Sequence, residues 1–88
     1  MEKVYLVESE LVRDYELLRG YKNVFKSKEN AVADYNDEKK NVSEVKEWIS
    51  DEEKICEEEA GNCYEVYEEG YYSVSHGCVT LTELEVNP

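Results

Sequence analysis

Asn41-Val42-Ser43-Glu44-Val45-Lys46-Glu47-Trp48-Ile49-Ser50-Asp51-Glu52-Glu53-Lys54-Ile55-Cys56-Glu57-Glu58-Glu59-Ala60-Gly61 is the stretch on which the fold turns, because it carries the strongest helical spacing in the chain. At about 100° per residue, Val42, Val45, Ile49 and Cys56 fall within one quadrant. Trp48 and Ile55 flank that quadrant, and Gly61 supplies a stop. The spacing predicts a helix over residues 42–60, which Asn41 is suited to cap, with Glu44 three residues on.

Upstream, Asn23-Val24-Phe25-Lys26 reads as a short strand, and Ser27 is placed to cap a helix beginning at about Lys28, with Glu29 complementing its positive end. Ala31, Val32 and Tyr35 give that helix one narrow buried face. Residues 36–41 are too polar to have a core side, so the helix either frays there or bends into the second one. Lys3-Val4-Tyr5-Leu6-Val7 is apolar at both parities and predicts a strand buried on two faces, central in its sheet. Residues 10–19 suit either a helical stripe or an edge strand, and Gly20 breaks either element.

Downstream the chain reads as β. Residues 63–68 alternate, Glu69-Gly70 can turn, residues 71–75 alternate again, and His76-Gly77 can turn. Val79-Thr80-Leu81 then runs on to Leu84-Glu85-Val86 with a change of apolar parity, which predicts a bulge near Thr82 and Glu83. Eighty-eight residues support one core, so the expectation is a single α+β domain over residues 1–88. Its antiparallel sheet of four to five strands carries one or two helices packed on one face.

The apolar run at residues 4–7 is shorter than the roughly 7–15 residues of a signal peptide or the about 20 of a spanning helix. The expected location is therefore the cytoplasm, with no membrane contact. Cys56, Cys63 and Cys78 are odd in number with no C-x-x-C pair, which fits free thiols rather than a disulfide framework.

Charge is the most informative feature. The chain has 22 acids against 10 bases, net −12, yet 41% of residues are hydrophobic and 11% aromatic, which favours a folded chain over a disordered one. Such a chain repels phosphate, so direct nucleic-acid binding is excluded and basic surfaces or cations become the natural partners. Residues 1–40 hold nine acids and eight bases, whereas residues 41–88 hold thirteen acids and two bases, with no base after Lys54. An ordinary soluble surface mixes signs, and this half does not.

On the predicted helix, Glu44, Glu47, Asp51 and Glu58 share one flank at spacings of three, four and seven residues. Helical neighbours of this kind lie roughly 5–6 Å apart, comparable with the step between phosphates along a duplex strand, about 3.4 Å in rise plus the lateral sweep. The tail adds Glu65, Glu68 and Glu69 beside several tyrosines. Alternation puts Tyr64 and Tyr72 on apolar faces and leaves Tyr67 and Tyr71 as the exposed aromatics. The candidate partner-binding set is thus Glu44, Glu47, Trp48, Asp51, Glu58, Glu65, Tyr67, Glu68, Glu69 and Tyr71.

Enzymatic chemistry is not expected. His76 and Cys78 fall on one face of a strand, but no cation or third group supports a thiolate, and the surrounding negative charge opposes one. Cys56, Cys63, His76 and Cys78 make a Cys3His set whose spacings match no paired-ligand zinc knuckle, so no metal is assigned. Asp51-Glu52-Glu53 and Glu57-Glu58-Glu59 fall on the predicted helix, not in a calcium loop. No phosphate-cradling glycine motif occurs, and no cofactor is expected.

Val24-Phe25-Lys26-Ser27-Lys28-Glu29-Asn30-Ala31, with the opening strand at residues 3–7 and the acidic closing strand at residues 81–86, resembles small uncharacterised acidic proteins of phages and mobile elements in Gram-positive bacteria, in which a V-F-x-S/T-K-E-x-A step recurs. The match covers about a third of the chain and carries no catalytic residues across. By size and charge the protein also resembles phage-encoded inhibitors: anti-CRISPR proteins, anti-restriction proteins and the uracil-DNA glycosylase inhibitor. That resemblance implies stoichiometric blocking of a basic nucleic-acid-binding groove on a host protein. The alternatives are a small-molecule or nucleotide sponge or regulatory module with a pocket in the β tail, or an accessory phage structural protein.

Overall fold

A computed structural model describes residues 2–86. Five strands, β1 (Glu2–Arg13), β2 (Glu16–Phe25), β3 (Ile55–Ala60), β4 (Cys63–Glu68) and β5 (His76–Val86), form one antiparallel sheet in the order β2-β1-β5-β4-β3. Helices α1 (Lys28–Val42) and α2 (Val45–Trp48) come from the middle of the chain, and a 3-10 turn (Glu52–Lys54) leads into β3. The architecture is the expected α+β sheet with helix on one face.

β1 is an interior strand, pairing with β2 on one side and β5 on the other, but the strand at the centre of the five is β5. β1 is buried on one face only. Val7, Ser9 and Leu11 point under the helix, whereas Leu6 and Glu8 are half-exposed and Glu10 is exposed on the opposite, open face. One helical layer cannot cover both sides of a sheet, so the second apolar parity of β1 faces solvent. The core is built from Val7, Leu11, Val79, Leu81, Tyr64 and Val66 of the sheet and Ala31, Tyr35, Val42, Val45 and Ile49 above it. Burying one such side chain contributes roughly 1.5–3 kcal/mol.

Ser27 caps α1 as its position suggests, its Oγ accepting from the Asn30 N–H at 3.3 Å. Val32 is not on the buried face; it is 38% exposed. At the other end Val42 lies directly on Gly77, where a Cβ would sit 2.5 Å from the Val42 carbonyl oxygen. Only a residue without a side chain lets the helix come this close.

Several expectations are corrected. The helix over residues 42–60 does not form: the segment breaks after Val42, makes one turn at α2, and residues 55–60 are strand β3. Asn41 therefore lies inside α1, where its side chain donates to Glu38, and caps no second helix. Gly61-Asn62 forms the turn that replaces the helix stop. Gly61 has φ +61° and no non-glycine residue there is positive, the sign pattern of a two-residue hairpin joining Ala60 to Cys63. The hairpin lets β3 pair with β4, and pairing overrides the helical preference of Glu and Ala. Val42, Val45 and Ile49 are buried all the same, while Cys56 leaves that quadrant for the open face.

Gly20 does not end an element but lies within β2, opposite Glu10. Residues 10–19 are the end of β1, a turn and the start of β2, and Asp14 and Tyr15 take φ of 50° and 67° in the two-residue hairpin between them. Residues 71–75 form a loop rather than a strand, and His76 and Gly77 open β5 instead of turning. That loop is tied to the hairpin tip by Tyr15 N–H to the Val74 carbonyl at 2.8 Å. Pairing of β5 with β1 is continuous through Thr82 and Glu83, so the bulge expected there is absent. The bulge lies instead between Leu11 and Val12, against β2. The parity change at Leu84 places it on the open face opposite Val4, where β5 has run past β4.

Candidate functional site

Strand alternation divides the acids of β3 into two kinds. Glu57 and Glu59 point to the helix side, where cations from above meet them. Lys39 Nζ lies 2.5 Å from Glu59 Oε1, and the Tyr35 hydroxyl donates to Glu59 Oε2 at 3.1 Å. Lys46 and the Tyr64 hydroxyl both meet Glu57. These donors hold both carboxyls below the usual range, Lys46 being the largest influence on Glu57 and Lys39 on Glu59. Burial beside the carboxylates pushes the phenols up, that of Tyr35 to about 12.

Glu58 points the other way. The register aligns Gly20, Glu10, Cys78, Glu65 and Glu58 in one row across β2, β1, β5, β4 and β3 on the open face. Adjacent strands are about 4.8 Å apart, so Glu65 and Glu58 are direct neighbours and Glu10 is roughly twice that distance from Glu65. Directly opposed like charges cost on the order of 0.2–1 kcal/mol, and neither Glu58 nor Glu65 has an ion-pair partner among the described residues. The next row on the same face holds Val12, His76, Tyr67 and Cys56.

His76 is buried and held on three sides. Its Nδ1 lies 2.7 Å from the Tyr72 carbonyl oxygen and its Nε2 lies 2.8 Å from Glu10 Oε2. The Tyr72 ring stacks on it at 4.3 Å and 5°, and Tyr67 meets Tyr72 edge-on at 5.0 Å. A carbonyl only accepts, so Nδ1 carries hydrogen and Nε2 is directed at Glu10. Glu10, His76 and Cys78 bring one ligating atom each to within 4.8 Å of one another. Burial, then the neighbouring Glu10 and Glu65, pushes the Cys78 thiol up to about 11; burial and Glu65 raise that of Cys63. A shift in this direction disfavours the thiolate.

Of the ten nominated residues, six fall into two groups of three and four stand apart. Glu58, Glu65 and Tyr67 share the open face, with Tyr67 half-buried. Trp48, Glu68 and Tyr71 line a groove of about 250 Å³ at the end of the sheet, together with Arg13, whose guanidinium lies 5.0 Å above the Trp48 ring. Glu44 and Glu47 are exposed at α2, Glu69 is exposed in the turn after β4, and Asp51 accepts from the Glu53 N–H at 3.1 Å to start the 3-10 turn. With the long helix gone, Glu44, Glu47, Asp51 and Glu58 do not form a single ladder. Tyr71 is 53% exposed and Tyr64 2%, but Tyr72 is 38% exposed and packs over His76 instead of on an apolar face.

Sequence reasoning missed Glu10 and Tyr72. No local signal marks them, because they meet His76 only through the β1–β5 register and the fold of residues 71–75. No helix among the described residues is long and apolar enough to cross a membrane. No family model, curated protein or solved structure matches the chain.

Proposed function

We propose that this protein is a phage-type acidic inhibitor acting in the host cytoplasm, which binds and blocks the basic nucleic-acid-binding groove of a host defence or nucleic-acid-processing protein without turning anything over. Glu44, Glu47, Asp51, Glu58, Glu65, Glu68 and Glu69 are the charged contacts in this reading, with Trp48, Tyr67 and Tyr71 as anchors. The observation that carries it is which carboxylates the fold pairs with cations and which it leaves without one. The helix-side acids Glu57 and Glu59 are neutralised by Lys46 and Lys39, whereas those seven carboxylates have no ion-pair partner among the described residues. A fold that takes only the Asp51 cap of the 3-10 turn from these side chains, and loses a little at Glu58 opposite Glu65, keeps the others available to an incoming cationic surface.

The open face of the sheet is the favoured contact, since the groove at Trp48 already contains Arg13 and is mixed in sign. A nucleotide sponge is less well supported. A concavity of about 440 Å³ over Gly20 is lined by Glu8 and Glu10, and its Lys22 is 3.7 Å from Glu8, so phosphate meets net repulsion there. The test is capture of nucleic-acid-binding proteins from host lysate, followed by competition of each with duplex DNA. Displacement by DNA supports the reading; binding that DNA leaves untouched counts against it.

A further inference from the structure

We propose that Glu10, His76 and Cys78 form a binding site for a zinc-type divalent transition metal ion on the open face of the sheet. Three observations support it, and none depends on the inhibitor reading.

The first is the ligand set and its spacing. Carboxylate oxygen, imidazole Nε2 and thiol sulfur all lie within 4.8 Å of one another. Ligands about 2.0–2.3 Å from a tetrahedral zinc ion are roughly 3.3–3.8 Å apart, so contraction by about an ångström suffices. The backbone already supplies the convergence. Glu10 and Cys78 are direct partners in the β1–β5 register, and His76 stands two residues from Cys78 on the same face.

The second is the orientation of the imidazole. Nδ1–H is committed to the Tyr72 carbonyl at 2.7 Å, and the Tyr72 ring stacks on the imidazole at 4.3 Å. A carbonyl holding one ring nitrogen of a histidine, so that the other is presented in a fixed tautomer, is the outer-shell arrangement of metal-ligating histidines. A surface His–Glu pair has no need of such a clamp, and this ring is 8% exposed.

The third is charge. Glu65 stands across the β4–β5 ladder from Cys78 on the same face, without an ion-pair partner among the described residues, and can complete the shell directly or through water. A dication relieves the crowding of Glu10, Glu65 and Glu58 that the row imposes. Mixed N, S and O donors select zinc-type ions over calcium or magnesium, which take oxygen alone. Binding releases the thiol proton, and any proton held between Nε2 and Glu10, to solvent.

The test titrates Co²⁺ into the reduced, chelator-treated full chain. One equivalent is expected to give a thiolate-to-cobalt charge-transfer band, which Zn²⁺ then removes. Cys78→Ser should abolish the band, and Glu10→Gln and His76→Gln should weaken binding about tenfold or more. Cys56→Ser and Cys63→Ser should keep it. Since variants at buried His76 can unfold, ¹H–¹⁵N spectra of the unaltered protein with Zn²⁺ give a second readout, with shifts centred on Glu10, His76 and Cys78. The absence of a stoichiometric band, a band that depends on Cys63 and not Cys78, or zinc shifts centred elsewhere overturns the proposal.

Discussion

Arg19 grips Glu38 with two parallel hydrogen bonds, Nε to Oε1 at 3.1 Å and Nη2 to Oε2 at 2.8 Å. Glu38 is 4% exposed between helix and sheet, and it also accepts from Ser9 Oγ at 2.5 Å and Asn41 Nδ2 at 2.9 Å. The carboxylate thus ties α1 to both β1 and β2. Nearby, Tyr21 on β2 donates its hydroxyl to Asp34 of α1 at 2.9 Å. The helix–sheet interface is therefore polar at its β2 edge and again at β3, where Tyr35 and Lys39 meet Glu59, with apolar packing over β5 and β4 between them.

Removing Arg19 leaves a buried carboxylate with fewer donors, although the guanidinium is itself partly solvated. Arg19→Met is expected to lower unfolding free energy by about 1–3 kcal/mol, below the cost of breaking a fully buried pair. Urea denaturation measures it; a change under a few tenths would show the pair to be ornamental.

Acid sensitivity follows from the same group. Burial pushes the Glu38 carboxyl up, but donors from Arg19, Ser9 and Asn41 together bring it below the usual range. A carboxyl with a folded value below its unfolded value of about 4.3 stabilises the fold above that pH and loses the contribution as pH falls through the folded value. Acidification also relieves general repulsion in a chain of net charge −12, so the difference from Glu38→Gln is the clean readout. The stability gap between the two proteins should be constant from about pH 7 to 5 and close below it. A gap unchanged at pH 3 contradicts the assignment.

Gly77→Ala places a Cβ 2.5 Å from the Val42 carbonyl oxygen and 2.9 Å from the Val42 Cβ. Backbone on both sides leaves no flexible group to give way. Overpacking of this kind is expected to destabilise by about 1–3 kcal/mol, near the upper end here. Gly20→Ala, whose Cβ would meet only Leu17 Cδ2 at 3.6 Å, is the tolerated control in the same thermal melts.

Which parts of this fold were legible depended on the range of the interactions that decide them. Ser27, Lys28 and the Glu69-Gly70 turn are set by neighbours in sequence, and local chemistry is enough to place them. The apolar run of β1 marks an interior strand with partners on both sides, although only one of its faces is covered. Residues 55–60 read as helix because Cys56 happens to continue the Val42, Val45, Ile49 quadrant, while Gly61-Asn62 serves equally as a helix stop and as a hairpin turn. Only pairing with β4 distinguishes the two. The site was harder still. His76 and Cys78 could be seen as a pair, but their partner Glu10 lies 66 residues from His76 and arrives through register alone.

Tyr15 takes a left-handed conformation, φ 67°, at the hairpin tip while 74% exposed. A bulky side chain is disfavoured there and buries little in return. Tyr15→Gly is expected to leave the protein as stable or to raise its stability by up to about 1 kcal/mol in urea unfolding. A clear loss would show that the phenol ring makes a stabilising contact.

The most direct test of the central claim uses a host nucleic-acid-binding protein captured by the chain and displaced from it by duplex DNA. Its affinity is measured at rising salt, for the unaltered protein and for a variant with Glu44, Glu47, Asp51, Glu58 and Glu65 changed to Gln. The account predicts affinity that falls steeply with salt and a variant that binds at least about tenfold more weakly with a shallower salt slope. Affinity indifferent to salt, or unchanged in a folded variant, would contradict it.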